Sequence, residues 1–178
     1  MYNLGDQFTF DYSKAIANKE NIIQGDKYRF TVLSERLIRM EYSEEGFFEN
    51  RPTELVWYRN MPPVKFEKSE NSKYLQIKTK YFELNYVKNK SFAGSKLNPT
   101  ANLNVKLLNT DRVWYYNHPE VRNYGAPSFS LDDNVGDPKL QKSLYSVDGF
   151  VSINDSNTNV FTGGGVLEKK ESNSKDIY

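Results

Sequence analysis

The sequence predicts an all-β protein, built as an antiparallel β-sandwich. Its 178 residues include 13 Tyr and 11 Phe, and aromatic side chains favour strands over helices. Short segments with apolar residues at every second position recur along the chain, separated by Gly-, Pro-, Asn- and Asp-containing turns, and almost none shows a helical period. A chain of this length buries one good core. We expect one sandwich domain over residues 22–178, after an irregular polar segment at residues 1–21.

The predicted elements follow one another at short, regular intervals, as in a sandwich. One short helix is predicted at residues 13–18, before the first strand. The predicted strands are residues 22–23, 28–33, 37–42, 54–59, 64–67, 75–79, 81–86, 103–107, 112–116 and 160–162. Period two also predicts which side chains of the second and third strands face the core. These are Tyr28, Phe30, Val32, Ile38, Met40 and Tyr42.

The stretch at residues 123–156 differs from the rest because it is rich in loops. Gly125 and Pro127 mark a turn, and an acidic loop follows at residues 132–138. That loop is longer and more polar than a minimal connection needs, and long loops on rigid strands often carry binding residues. Asp148-Gly149 between alternating segments predicts a hairpin, because both residues tolerate a positive φ.

Composition excludes several classes of protein. Charged residues make up 26% of the chain with a formal net charge of +1, which indicates neither a nucleic-acid nor a membrane partner. No apolar run approaches the roughly 18 residues of a spanning helix. The absence of Cys excludes disulfides and thiolate metal sites. The first residues carry neither a basic nor an apolar segment, so we expect a cytoplasmic protein without a secretory signal.

Several segments resemble one enzyme family. Residues 28–33 and 36–43 read YRFTVL and RLIRMEYS, and residues 48–53 read FENRPT. These segments are similar to the N-terminal domain of glycoside hydrolase family 31, the α-glucosidase and α-xylosidase family. The later matching residues are Asn123, Gly125, Leu131, Asp132, Leu144, Ser146, Asp148, Gly149, Asp155 and Ser156. The chain departs from the family pattern at Ala126, Pro127, Phe129, Val147 and Phe150.

The resemblance implies a galactose-mutarotase-like sandwich that packs on a catalytic (β/α)₈ barrel. In the family, a triplet like Asp176-Ile177-Tyr178 opens the strand that leads into the barrel, so we expect a fragment truncated before it. Family members hydrolyse α-glucosidic or α-xylosidic bonds with retention, and both catalytic aspartates lie in the barrel. The expected partners are therefore that barrel and, in the parent enzyme, an α-linked oligosaccharide. No catalytic residue and no cofactor is expected within these residues.

Four acidic residues are candidates for substrate binding: Asp132, Asp133, Asp137 and Asp148. In the family a loop of this domain leans over the barrel mouth, and carboxylate oxygens accept hydrogen bonds from sugar hydroxyls. Alternatively, Asp148 only occupies a turn and Asp132 caps its own loop. Asp132 and Asp133 are poor candidates for a hydrolytic pair, because adjacent strand residues point to opposite faces. The loop also lacks the closing Glu of a calcium-binding EF-hand, since Ser143 stands at the twelfth position.

Two other functions stay open on the sequence alone. A free-standing carbohydrate-binding module would use exposed aromatic rings, and the candidates are Trp57, Trp114, Tyr115, Tyr116 and Tyr124. Burial in the core or against a neighbouring domain is the favoured interpretation of these five. A sugar epimerase would need His with a carboxylate as acid and base, and His118 is the one histidine. A truncated strand would also leave an open sheet edge, which favours self-association.

Overall fold

The structure is a computed structural model that describes residues 11–98, 101–127, 136, 140–162, 166–170 and 174–178. These residues contain two 3₁₀ turns, Tyr12–Ala15 and Lys19–Asn21, and thirteen strands. The strands are β1 (Ile22–Gln24), β2 (Tyr28–Ser34), β3 (Leu37–Tyr42), β4 (Glu67–Glu70), β5 (Tyr74–Lys78), β6 (Phe82–Val87), β7 (Leu103–Leu107), β8 (Val113–Tyr115), β9 (Ala126–Pro127), β10 (Leu140–Gln141), β11 (Asn159–Phe161), β12 (Leu167–Lys169) and β13 (Lys175–Ile177). None of the helical turns in this part of the chain has the length and hydrophobicity needed to traverse a bilayer.

Two antiparallel sheets make up the body of the fold. A four-stranded sheet has the order β1-β2-β3-β13, and a five-stranded meander has the order β4-β5-β6-β7-β8. Two short ribbons, β9 with β10 and β11 with β12, accompany them. In the first sheet, Tyr28 pairs with Tyr42, and Ile177 pairs with Met40. The predicted all-β antiparallel sandwich is confirmed.

The hydrophobic core lies between these two sheets. All six side chains predicted to face inward from β2 and β3 belong to it, and β5 to β8 supply the opposite wall. Aromatic rings join the two sides: Tyr86 of β6 lies 5.2 Å, centroid to centroid, from both Tyr28 and Phe30. Edge-on contacts of this kind add to the free energy gained by removing the rings from water.

The four-stranded sheet is buried on both faces. Residues of β2 and β3 that alternate with the core positions, such as Arg29, Arg39 and Glu41, are 5% exposed or less. Their face is covered by residues 48–59 and by residues 153–160, which bridge each other at Thr53 and Val160. In the five-stranded sheet, β5 and β6 follow the alternation that their sequences predict, with every second residue buried, whereas β4 is exposed throughout and the first three residues of β7 are all buried.

Three predicted elements are wrong in position or type. Residues 54–59 form no strand, because the backbone N–H groups of Arg59 and Asn60 both donate to the Lys14 carbonyl rather than to a strand partner. The strand predicted at residues 64–67 begins only at Glu67, after Pro62-Pro63. The helix predicted at residues 13–18 is the 3₁₀ turn Tyr12–Ala15.

The hairpin predicted around Asp148-Gly149 is also wrong. The two residues do form a turn, and Gly149 has a φ of +77°. No strand flanks the turn, because Ser146 bridges Asn123 instead of the segment after the turn. The Asp148-Gly149 pair therefore predicted the turn correctly. The pairing of the segment before the turn instead depends on the long-range bridge between Ser146 and Asn123.

Candidate functional site

Asp148 is the one predicted substrate-binding residue within the described part of the chain; Asp132, Asp133 and Asp137 lie outside it. The Asp148 side chain is buried, and its Oδ1 lies 3.1 Å from Arg122 Nη1 and 3.5 Å from Arg112 Nη1. Both guanidinium groups thus approach the same oxygen of this carboxylate. Sequence reasoning weighed a turn role and a sugar-binding role for Asp148; the residue lies in a turn, and the sugar-binding role stays a prediction.

The turn that carries Asp148 is fixed by local hydrogen bonds. The Asp148 N–H donates to Ser146 Oγ at 3.1 Å, and the Gly149 N–H donates to the Ser146 carbonyl at 3.2 Å. Gly149 adopts a left-handed conformation that costs glycine little and most other residues more. The local sequence thus holds the backbone in place, and the two arginines hold the side chain.

A second buried acid, Glu120, lies in the same region and was missed by sequence reasoning. It is 5% exposed and has a φ of +48°. Its Oε1 accepts a hydrogen bond from the Ser152 N–H at 3.0 Å, and its Oε2 pairs with Lys142 Nζ at 2.5 Å. Glu120 therefore ties its own loop to residues 142–152. No motif around it gave a signal, because its partners are distant in sequence.

His118 completes this group, which we call the loop cluster: His118, Glu120, Lys142 and Asp148. Its Nδ1 accepts a hydrogen bond from the Glu120 N–H at 3.0 Å, so the neutral ring carries its proton on Nε2. The ring packs between Tyr115 and Phe150, with centroids 4.7 and 4.8 Å away. Burial lowers the pKa of His118 below its ordinary value, although the carboxylates of Glu120 and Asp148 oppose the effect.

The loop cluster has limited chemical capacity as it stands. Each of its carboxylates is engaged by a cation, and one nitrogen of His118 is engaged by a backbone N–H. Across the described residues, no group of three or more His, Cys, Asp or Glu side chains is arranged to hold a metal ion. These contacts connect the loop around Glu120 to residues 142–152.

A larger polar assembly, which we call the buried charge layer, lies against the outer face of the four-stranded sheet. Its members are all 7% exposed or less and are Arg29, Arg39, Glu41, Arg59, Asp155, Lys170 and Asp176. Two bidentate pairs form its centre. Arg29 Nε and Nη2 donate to the Glu41 carboxylate at 2.6 and 2.8 Å, and Arg39 Nε and Nη2 donate to Asp176 at 2.8 and 2.7 Å.

Further contacts connect the buried charge layer to the segments that cover it, residues 48–59 and 153–160. Lys170 Nζ lies 2.9 Å from Asp176 Oδ2, and Thr53 Oγ1 donates to Asp155 Oδ2 at 2.9 Å. Arg59 Nε donates to the Tyr178 hydroxyl at 2.5 Å. Buried charges are tolerated only when they are paired and hydrogen-bonded in this way. The layer therefore fixes the relative positions of segments that are far apart in sequence.

Charge pairing also controls the titration of Asp176. Burial alone would raise its pKa, but the charges of Arg39 and Lys170 and the hydrogen bonds they donate hold the pKa well below the usual range. Asp176 is therefore ionised at neutral pH, as the bidentate pair with Arg39 requires.

The five aromatic residues weighed as sugar platforms divide between the core and the surface. Trp114 and Tyr115 are buried, and Tyr116 packs against the core. Trp57 and Tyr124 are exposed, and Trp57 packs edge-on against Phe161 with centroids 5.0 Å apart. Burial in the core thus holds for three of the five, and contact of Trp57 and Tyr124 with a neighbouring domain stays a prediction.

No family model matches the sequence, and the search of curated proteins found no match.

Proposed function

We propose that this chain is a non-catalytic β-sandwich domain, galactose-mutarotase-like, of a retaining α-glycosidase resembling glycoside hydrolase family 31. The parent enzyme would cleave α-glucosidic or α-xylosidic bonds with a barrel domain. The sandwich would pack on that barrel and contribute a loop to substrate recognition. The proposal begins from the sequence resemblance, and one structural observation supports it.

The supporting observation is that the resembling segments meet in space. Arg29, Arg39 and Glu41 come from the first matching segments, Asp155 from a later one, and Asp176 from the last. Ion pairs join Arg29 to Glu41 and Arg39 to Asp176, and Lys170, which lies outside the resembling segments, contacts both Asp155 and Asp176. The segments therefore belong to one structural unit, as the proposed domain requires.

The four candidate aspartates take different roles in this proposal. Because Arg112 and Arg122 occupy the Asp148 carboxylate, Asp148 serves to position the loop. Contacts to sugar hydroxyls are then left to the acidic loop at residues 132–138, with Asp132, Asp133 and Asp137 as the candidates.

A carbohydrate-binding module is the second candidate, and one observation favours it. Tyr124 and Tyr145 are 68% and 74% exposed, and the Tyr124 N–H donates to the Tyr145 carbonyl at 3.0 Å. Two exposed rings on neighbouring segments resemble the stacking surfaces on which sugar rings bind. The epimerase is less favoured, because the acid–base groups of the loop cluster are already engaged by protein partners.

Calorimetry with the chain separates the two candidates. Maltose, isomaltose and a xylose-containing oligosaccharide are titrated into wild-type protein and into a Tyr124→Ala/Tyr145→Ala variant. The domain proposal predicts no saturable heat with any of them, and no release of nitrophenol from a nitrophenyl α-glucoside. Saturable binding that the double substitution abolishes would favour the module instead, and turnover by the chain alone would overturn the non-catalytic assignment.

A further inference from the structure

The loop after β8, residues 116–123, is attached to residues 142–152 at both ends of that segment. At the first end, Asn123 Oδ1 accepts a hydrogen bond from the Ser143 N–H at 2.9 Å, and Asn123 Nδ2 donates to the Ser143 carbonyl at 2.8 Å. At the second end, the Glu120 carboxylate accepts a hydrogen bond from the Ser152 N–H at 3.0 Å. The same carboxylate pairs with Lys142. The position of Glu120 therefore determines whether the second end is held.

The protonation state of His118 controls one of the contacts that hold Glu120. The Glu120 N–H donates to His118 Nδ1 at 3.0 Å, and an imidazole nitrogen accepts a hydrogen bond only when it carries no proton. Protonation turns both ring nitrogens into donors, so the Glu120 N–H loses its acceptor in a residue that is 5% exposed. Glu120 also has a φ of +48°, which is strained for a residue with a long side chain. A strained backbone of this kind persists only while its surroundings hold it.

The groups around the ring act on its charge in both directions. They are Tyr115 of β8, Glu120 of the same loop, and Lys142 and Asp148 of the facing segment. Asp148 is in turn paired with Arg112 and Arg122. Burial lowers the pKa of His118 and Lys142 acts in the same direction, whereas the carboxylates of Glu120 and Asp148 oppose them. The balance lies below the ordinary value, so the folded arrangement favours the neutral ring.

We propose that His118 is a pH-sensitive switch: protonation of its ring separates Glu120 from Ser152 and frees residues 150–152 from the loop after β8. These three residues line a cleft of about 630 Å³ together with residues of β3, β7 and β8, so the switch acts on one wall of that cleft. The contacts between Asn123 and Ser143 contain no titratable group and stay in place. The proposal is independent of the glycosidase proposal, because it uses no sugar contact and no residue of the acidic loop.

Hydrogen exchange of the Ser152 amide in the wild-type chain, followed by NMR, tests the switch. The protection factor, which corrects for the intrinsic pH dependence of exchange, reports how often the hydrogen bond to Glu120 opens. Between about pH 8 and about pH 5, the range in which histidine titrates, we expect the protection factor of Ser152 to fall. The fall should approach about tenfold per pH unit between the folded and unfolded pKa values of His118.

The Ser143 amide is the internal control for that experiment. It donates to Asn123 Oδ1, so its protection factor should stay constant over the same range. A constant protection factor at Ser152 would overturn the proposal. An equal fall at both amides would overturn it too, because the whole segment would then open together.

Two variants separate the titration of His118 from its hydrogen bond. His118→Asn keeps a side-chain oxygen that can accept from the N–H two residues on, but it does not titrate. Ser152 should then stay protected at every pH. His118→Phe keeps a ring between Tyr115 and Phe150 but offers no acceptor, and Ser152 should exchange fast at every pH. Protection of Ser152 that still depends on pH in His118→Asn, or that persists in His118→Phe, would contradict the proposal.

Discussion

At the scale of single residues, buried polar side chains determine how the loops beside the sandwich are held. Glu120 is only 5% exposed. Its carboxylate accepts a hydrogen bond from Ser152 and forms an ion pair with Lys142. Asp148 is similarly buried between Arg112 and Arg122. A buried carboxylate left without partners would cost more than the turn itself gains. Each acid therefore stabilises its loop only together with its cation.

The titration of His118 tests this loop cluster. Because burial lowers its pKa, we expect a value below the ordinary ~6.5. The chain has one His, so its ring-proton resonance in an NMR titration is unambiguous. Asp148→Asn should lower the pKa further, because the Asp148 carboxylate acts in the opposite direction to burial.

The urea-unfolded chain is the internal reference for that titration. A folded-state pKa equal to or above the unfolded-state value would contradict the packing of His118 between Tyr115 and Phe150. The direction of the pKa shift of His118 also determines how this residue affects stability at different pH values. Protonation favours the unfolded chain, so the contribution of His118 is complete above the unfolded pKa and is lost as pH falls below it.

Only part of the site could be predicted at this scale. The Asp148-Gly149 pair encodes a left-handed turn residue, and Gly149 adopts that conformation. The two arginines that hold Asp148, and the role of Glu120, depend on long-range contacts that a local pattern does not contain. The other three candidate aspartates, Asp132, Asp133 and Asp137, lie outside the described residues, so their role stays a prediction.

At the scale of elements, β13 is attached to β3 by more than its backbone ladder. The register places Ile177 opposite Met40 in the core. On the other face, the side chain of Asp176 reaches Arg39 through two hydrogen bonds. Lys170 approaches the same carboxylate from the segment after β12. The edge strand is therefore held on both faces of its sheet.

Removing one partner of this pair should destabilise the protein strongly. Arg39→Met leaves the Asp176 and Glu41 carboxylates buried with fewer cations, and loss of one partner of a buried pair costs roughly 3–5 kcal/mol of unfolding free energy. The double variant Arg39→Met/Asp176→Leu should lose less than the sum of the single losses, because the two residues are coupled. Urea unfolding followed by circular dichroism measures all three variants.

The exposed pair between Lys68 and Glu70 is the matched control for this experiment. Lys68→Met should change the unfolding free energy by no more than about 1 kcal/mol, since exposed ion pairs contribute little. An Arg39→Met variant as stable as Lys68→Met would show that the buried charge layer does not hold β13.

Low pH should weaken the attachment of β13 to β3 through Asp176. The pKa of Asp176 is lowered in the folded state, so its stabilising contribution is present above the unfolded value of about 3.9 and is lost as pH falls through the folded value. Asp176→Asn should be less stable than the wild type at pH 7, and the difference should shrink below about pH 4. Urea midpoints from pH 7 down to pH 3 measure it, and a constant difference would refute the linkage.

Elements with regular alternation were predictable, and those fixed by tertiary contacts were not. β3 (Leu37–Tyr42) and β7 (Leu103–Leu107) have the predicted bounds, and β2 (Tyr28–Ser34) ends one residue later than predicted. Residues 54–59 have strand-forming side chains but no strand, because Arg59 is buried and bonded to Tyr178 and to the Arg51 carbonyl. A buried arginine with distant partners overrides local propensity.

At the scale of the whole molecule, the two faces of the four-stranded sheet are buried in different ways. One face packs against the five-stranded sheet through an apolar, largely aromatic core. The other carries the buried charge layer beneath residues 48–59 and 153–160. The apolar face supplies most of the free energy of burial. The charged face joins segments that are far apart in the sequence.

Reading the coding sequence beyond the codon for Tyr178 tests the central proposal most directly. The account predicts a following (β/α)₈ domain of about 250 residues, with two aspartates in the nucleophile and acid/base roles of a retaining glycosidase. A stop codon directly after Tyr178, or a following domain of another class, would contradict it.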